Sequence, residues 1–186
     1  MKSISSSIIV PARLVFIIWA VYFVDTLYPL SLSVYGILPR TLVGVIGIVT
    51  APLLHGSVAH LVSNTMPLLI LGTVLYMFYD RIASRVFLQC YFLTGLLVWL
   101  FGRPFYHIGA SGVIYGLAAF LMFFGLFRRD FRSLLISIII VIFYGSIFYG
   151  VLPNQPGVSW ESHLCGGVVG FFNAVNTSAY RRISNY

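Results

Sequence analysis

A serine and a histidine head the residues able to do chemistry. Ser111 lies in Gly109-Ala110-Ser111-Gly112, at the start of an apolar stretch that reads as a helix. At a helix start, free backbone N–H groups point outward and the dipole is positive. An oxyanion developing there would be stabilised. The same four residues also suit a plain helix start with small side chains for packing. His163 opens another apolar stretch, in Ser162-His163-Leu164-Cys165-Gly166. A neutral imidazole can take a proton from a serine hydroxyl and return it to a leaving amine. A histidine hydrogen-bonded to a loop at an interface is the plainer alternative. Close behind each residue comes a small-xxx-small pattern, Gly112 with Gly116 and Gly166 with Gly170. Such patterns let helix backbones approach closely in lipid. Packing through these glycines would bring Ser111 and His163 together at one depth, although glycine stripes also serve packing alone.

Other side chains fall where they could assist. His60 and Asn64 are four apart at the head of a further apolar stretch, and so share a helix face. Both could donate to an oxyanion, or simply hold the preceding loop. Tyr115 lies one turn beyond Ser111 on the same face. It could pack on an imidazole or be an ordinary core aromatic. His55 and His60 are badly spaced for one helix face, and no His-Glu-x-x-His occurs. No metal site and no cofactor are therefore expected. Cys90 and Cys165 sit in apolar stretches and read as small buried hydrophobes.

The elements that must position these residues follow from composition. Of 186 residues, 60% are hydrophobic and 8% charged. A soluble domain is about 25% charged, so a water-soluble domain is excluded. Disorder is excluded too, because it requires low hydrophobicity. A helix crossing a bilayer needs ~20 apolar residues. Six such spans are expected, at roughly 8–30, 60–79, 84–101, 108–127, 134–152 and 160–180, in a single domain over 1–186. The first reads as a retained span, not a cleaved signal. The uncharged stretch Leu42–Leu54 is too short to span and fits a segment lying in the interface.

Charge sets the expected orientation. With the N-terminus inside, Lys2, Arg13, Arg81, Arg85, Arg128, Arg129, Arg132, Arg181 and Arg182 fall on one side, and only Arg40 and Arg103 on the other. This is a positive-inside pattern with both termini cytoplasmic. It accounts for the net charge of +7. Short basic brackets around spans are not the basic face that a nucleic acid needs, so no nucleic-acid partner is expected. All four histidines then lie toward the outer side, where polar groups at membrane depth suggest function. Asp80 and Asp130 fall on the inner side, and Glu161 is only two residues before His163, badly placed to face its ring. A Ser–His dyad is expected in preference to a triad.

Taken together, the chain resembles the rhomboid intramembrane serine proteases. The resemblance rests on His60-x-x-x-Asn64, Gly109-x-Ser111-Gly112 and His163-x-x-Gly166-x-x-x-Gly170, in that order at the heads of spans two, four and six, with a long first outer loop. It implies an all-α, six-transmembrane-helix bundle whose first outer loop is membrane-associated. It implies Ser111 as nucleophile and His163 as general base. His60 and Asn64 would line the oxyanion site, Gly109 would let backbone approach it, and Tyr115 would support His163. Gly166 and Gly170 would pack closely on span four, and His55 would be structural. The expected reaction is peptide-bond hydrolysis in or near transmembrane helices of single-span or polytopic membrane-protein substrates. A small residue before the cut is expected, and the expected home is a bacterial plasma membrane with the site facing outward. The loop Val151–Gly157 would cap the site. Substrate would enter sideways between spans two and five, past gate candidates Phe143, Tyr144, Phe148 and Tyr149. The family's Trp-Arg pair in the first outer loop is absent; Leu38-Pro39-Arg40 is the nearest feature, leaving Arg40 to make the loop's bonds alone. Two other classes share the broad features: a non-catalytic rhomboid-like binding protein, which usually lacks the Ser or the His, and a small transporter, which would show repeats or broken helices.

Overall fold

In the computed structural model, residues 2–153 and 157–183 are described, with side chains to residue 179. The α-helices run in the order α1 (Ile4–Ser7), α2 (Ile9–Leu27), α3 (Leu42–Thr50), α4 (Val58–Phe78), α5 (Asp80–Phe101), α6 (Ser111–Arg128), α7 (Phe131–Tyr144) and α8 (Trp160–Ile183). No strand occurs among the described residues; the one β-type pairing is an isolated antiparallel bridge between Ile37 and His107.

Helix α6 forms the axis, because its residues are apolar on every face and its glycines admit neighbours closely. Gly112 to Met122 is an unbroken buried run, and α4, α5, α7 and α8 all pack on α6. Leu61, Leu68, Leu71 and Leu75 of α4 meet Leu117, Phe120, Leu121 and Phe124 of α6 in one apolar core. On the opposite flank Gly125 admits α7, and its N–H donates to Ser137 Oγ at 3.1 Å. Helix α2 leans on α4, where Gly72 makes room for Pro11 and Trp19 Nε1 donates to Thr65 Oγ1 at 3.0 Å.

Five segments among the described residues are long and apolar enough to cross a bilayer: Ile9–Leu27, Val58–Phe78, Asp80–Phe101, Ser111–Arg128 and Phe131–Val151. Helix α8 is the sixth long member of the bundle, with 24 residues. Apolar side chains face outward, as with Phe16, Ile142 and Phe143, each more than 70% exposed. A lipid environment accepts such a surface and water does not. The chain is an integral membrane protein.

Helix ends differ from those expected, each for a local reason. Helix α2 stops at Leu27, not residue 30, because Tyr28 precedes Pro29 and is driven out of the helical region. Helix α4 starts at Val58, ahead of residue 60, because Ser57 Oγ caps the His60 N–H. Helix α5 starts at Asp80, not Ser84. Hydropathy falls at Asp80 and Arg81, but an acidic residue in a first helical turn is favourable. The expected span 134–152 starts at Phe131, where Asp130 caps the Ser133 N–H, and changes to a 3-10 helix over Gly145–Val151. Two glycines there weaken the α-helical preference.

Helix α3, within the uncharged stretch 42–54, buries only Gly44 and Gly47 and exposes Leu42, Val43, Val45, Ile46 and Val49. Nine residues cannot span, so the apolar face suits the membrane interface. Arg40 does not hold this loop alone. Its Nη1 donates to the carbonyls of Leu100 and Gly102, at 3.1 and 2.9 Å, at the end of α5. Those carbonyls have no partner within the helix. Trp99 replies from α5, its Nε1 donating to the Thr41 carbonyl at 2.8 Å. The loop is thus tied to α5 from both sides, by Arg40 and by Trp99.

Candidate active site

Ser111 is the first residue of α6, three residues later than the span predicted from 108. The preceding backbone is fixed from outside. His107 exchanges both backbone bonds with Ile37, and the Gly109 N–H donates to the Ala51 carbonyl at 2.8 Å. Gly109 has φ +108°, a conformation that glycine adopts without steric cost. A Cβ there would lie 2.6 Å from His60 Nε2, so the missing side chain is also what allows the imidazole to pack over this backbone.

Helix α8 brings in His163. The approach is set by glycines: a Cβ on Gly166 would lie 2.1 Å from the Gly112 carbonyl oxygen, and one on Gly170 would lie 2.0 Å from that of Gly116. Both helices start on the same side of the bundle, so their first turns meet. His163 Nε2 lies 2.9 Å from Ser111 Oγ. Its Nδ1 lies 2.8 Å from the Gly150 carbonyl. A carbonyl can only accept, so Nδ1 carries the proton and Nε2 is left to accept from the serine hydroxyl. The tautomer is the one a general base requires.

Tyr115 stacks on His163, with ring centroids 4.0 Å apart and planes within 5°. Its hydroxyl reaches the Gly150 backbone, where a Cβ would come within 1.9 Å of Oη. The imidazole is therefore held by a ring on its face and a carbonyl at its edge. Glu161 takes no part in this, in keeping with its poor register. It is bound instead by Arg103.

His60 and Asn64 both line the cleft that contains Ser111. Asn64 is not a free donor: its Nδ2 donates to the His60 carbonyl of its own helix at 2.8 Å. Its second amide hydrogen is directed to Ser63 Oγ at 3.4 Å, so donation to an oxyanion would require the amide to give up one of these bonds. The His60 ring also faces His55 at 4.8 Å between centroids. Burial, and secondarily the neighbouring His60, push His55 down to about 4. Among the described residues, no three His, Cys, Asp or Glu side chains come together as a metal site.

The cleft has a volume of about 870 Å³. Asn64 and Pro67 of α4 form one wall; Phe143 and Tyr144 of α7, with Ser146 and Ile147 beyond it, form the other. Of the four gate candidates, Phe143 and Tyr144 line it, and Phe148 and Tyr149 do not. Of the loop Val151–Gly157, expected to cap the site, residues Asn154, Gln155 and Pro156 lie outside the described residues. The sequence reading missed Gly150, whose role is played by a backbone carbonyl and leaves no side-chain signal. It also missed Phe105 and Tyr106, which line the cleft from the loop before α6.

Fold and site define a class: an all-helical integral membrane protein with a hydrogen-bonded Ser–His pair on two closely packed helices. The chain belongs to the rhomboid family, since the Rhomboid domain matches residues 42–180. It is 38% identical over 177 residues to an uncharacterized protein of Mycobacterium tuberculosis, covering 89% of this chain and 73% of that one. An uncharacterized protein of Mycobacterium leprae is 39% identical over 145 residues, 73% of this chain and 57% of the relative. The Rhomboid protease GluP of Bacillus subtilis is 30% identical over 132 residues, 68% of this chain and 25% of the relative.

Proposed function

We propose that the chain is an intramembrane serine endopeptidase that uses a Ser111–His163 dyad. The carrying observation is the Oγ–Nε2 contact of 2.9 Å with Nδ1 committed to a carbonyl. In this reading Ser111 Oγ attacks the scissile carbonyl while Nε2 takes its proton. The tetrahedral oxyanion sits beside the Ser111 N–H and His60, with Asn64 rotating to join them. Collapse breaks the C–N bond as Nε2 returns the proton to the leaving amine. Water, deprotonated by the same nitrogen, then releases the acyl group.

The cleft between α4 and α7 supports lateral access for a transmembrane substrate helix. Such a helix hides its carbonyls in its own ladder, so cleavage requires local unwinding. Residues that weaken helices should favour it. A small residue before the cut is carried over from the family. The basic brackets support cytoplasmic termini and an outward-facing site, and the bacterial relatives support a bacterial plasma membrane.

The test is cleavage of a single-span substrate by the purified protein in liposomes. Ser111→Ala and His163→Ala should each lower kcat by at least ~10³-fold with an unchanged melting temperature. Normal cleavage by Ser111→Ala would remove the proposal.

A further inference from the structure

The glycine contacts fix how closely α6 and α8 approach. They hold α8 from Gly166 onward, whereas the turn that leads into His163 lies ahead of them. Turning matters: one residue is about 100° of helix rotation, so a small error carries His163 away from Ser111. A further hold on that leading turn comes from the loop 102–110.

Arg103 lies in that loop, eight residues before Ser111; Glu161 lies two residues before His163. The two side chains pair in a fork: Arg103 Nε donates to Oε1, and Nη2 donates to Oε2 at 3.0 Å. The Arg103 backbone N–H adds a third bond to Oε1 at 3.3 Å. A bidentate pair fixes direction as well as distance. The Glu161 side chain is only 6% exposed, so its charge relies on these donors. The guanidinium also packs on Phe105 and Trp160, 4.6 and 5.4 Å from their ring centroids. These rings belong to the two segments being joined.

A second tie runs parallel to the first. His107 Nε2 lies 3.0 Å from the Arg103 carbonyl, so Nε2 carries the proton and Nδ1 accepts from Ser159 Oγ at 2.6 Å. Ser159 has then spent its hydrogen, so Ser162 Oγ donates to Ser159 Oγ at 2.6 Å. The bonds at His107 and Ser159 are directed by a single tautomer and end at Ser162, next to His163.

We propose that Arg103 and Glu161, seconded by His107 and Ser159, form an outer clamp that sets the register of α8, making Arg103 and Glu161 positioning residues for the Ser111–His163 pair. This rests on the serine-protease reading above. Releasing the clamp should slow the chemical step, because a displacement of about 1 Å at a reacting pair can cost on the order of a hundredfold.

The test uses the full chain in liposomes, with a fluorophosphonate probe and the single-span substrate. The probe phosphonylates a serine only where a base activates it. Arg103→Ala and Glu161→Gln should each lower kcat and the Ser111 labelling rate by roughly tenfold to a hundredfold, with KM within twofold. The double variant should lose no more than either single, and Arg103→Lys should restore part of the rate. If Arg103→Ala does not fold, the isosteric Glu161→Gln decides alone. Wild-type labelling rates in both variants, a change in KM only, or additive losses would each overturn the clamp. If the wild-type protein itself is neither labelled nor active, the serine-protease reading fails instead.

Discussion

In the proposed dyad, two neighbours of His163 would divide the work that a carboxylate does in a catalytic triad. The Gly150 carbonyl selects the tautomer, and the Tyr115 ring fixes the plane. Neither supplies a charge to stabilise an imidazolium, so the arrangement depends on fit. Gly150 is the sensitive point, because a Cβ there would stand 1.9 Å from Tyr115 Oη and 3.2 Å from His163 Nδ1. Gly150→Ala should lower kcat by about tenfold, the effect of roughly 1.4 kcal/mol of overpacking on the reacting pair. Tyr115→Phe removes the oxygen that is struck and keeps the stacked ring. Gly150→Ala/Tyr115→Phe should therefore cleave faster than Gly150→Ala alone, measured as initial rates on one substrate. Gly109→Ala acts on the other side of the serine. It forces a Cβ against His60 and places alanine at φ +108°. A cost of about 1–3 kcal/mol in stability is expected from the backbone alone, read as a lowered midpoint of thermal unfolding.

At the scale of elements, the contact between α6 and α8 depends on which glycines face it. Gly166, Gly167 and Gly170 look alike in sequence, but their surroundings differ. Positions 166 and 170 meet carbonyl oxygens of α6 at 2.1 and 2.0 Å from a built Cβ, whereas 167 meets nothing within 4 Å. Gly166→Ala and Gly170→Ala should each push the helices apart, lowering both melting temperature and kcat. Gly167→Ala should raise the melting temperature slightly, because alanine is favoured over glycine in a helix by up to about 1 kcal/mol. A melting series of the three variants separates them. Spacing alone singled out 166 and 170, since residues four apart recur on one face. Helix ends were less legible. Hydropathy marks where the chain stops being apolar, whereas Ser57, Asp130 and the Tyr28-Pro29 step decide where hydrogen bonding starts and stops.

Across the whole molecule, the all-helical membrane bundle was legible because composition leaves few alternatives, and the meeting of Ser111, His163 and Tyr115 because short spacings on helices convert directly into faces. The ties between loops were not. Arg40 to the end of α5, Arg103 to Glu161 and His107 to Ser159 join residues 52 to 62 positions apart, and no local pattern records such pairs. Two histidines of this loop layer, His55 and His107, are buried, and burial gives the molecule a pH dependence of its own. Burial and then His60 hold His55 at about 4, and burial keeps His107 below its ordinary value. In the unfolded chain both regain a pKa near 6.5. Between those values the unfolded state binds the extra proton, so stability is full above about pH 6.5 and falls as the pH drops toward 4. Paired carboxylates such as Glu161 lose stability in the same direction, so the histidine share must be isolated. His55→Gln removes a titrating group without adding a charge. Its melting temperature should fall less steeply between pH 6.5 and 4 than that of the parent protein, with the two curves converging in slope above neutrality. Equal slopes throughout that window would mean that protonation of His55 does not govern the acid lability of the loop layer.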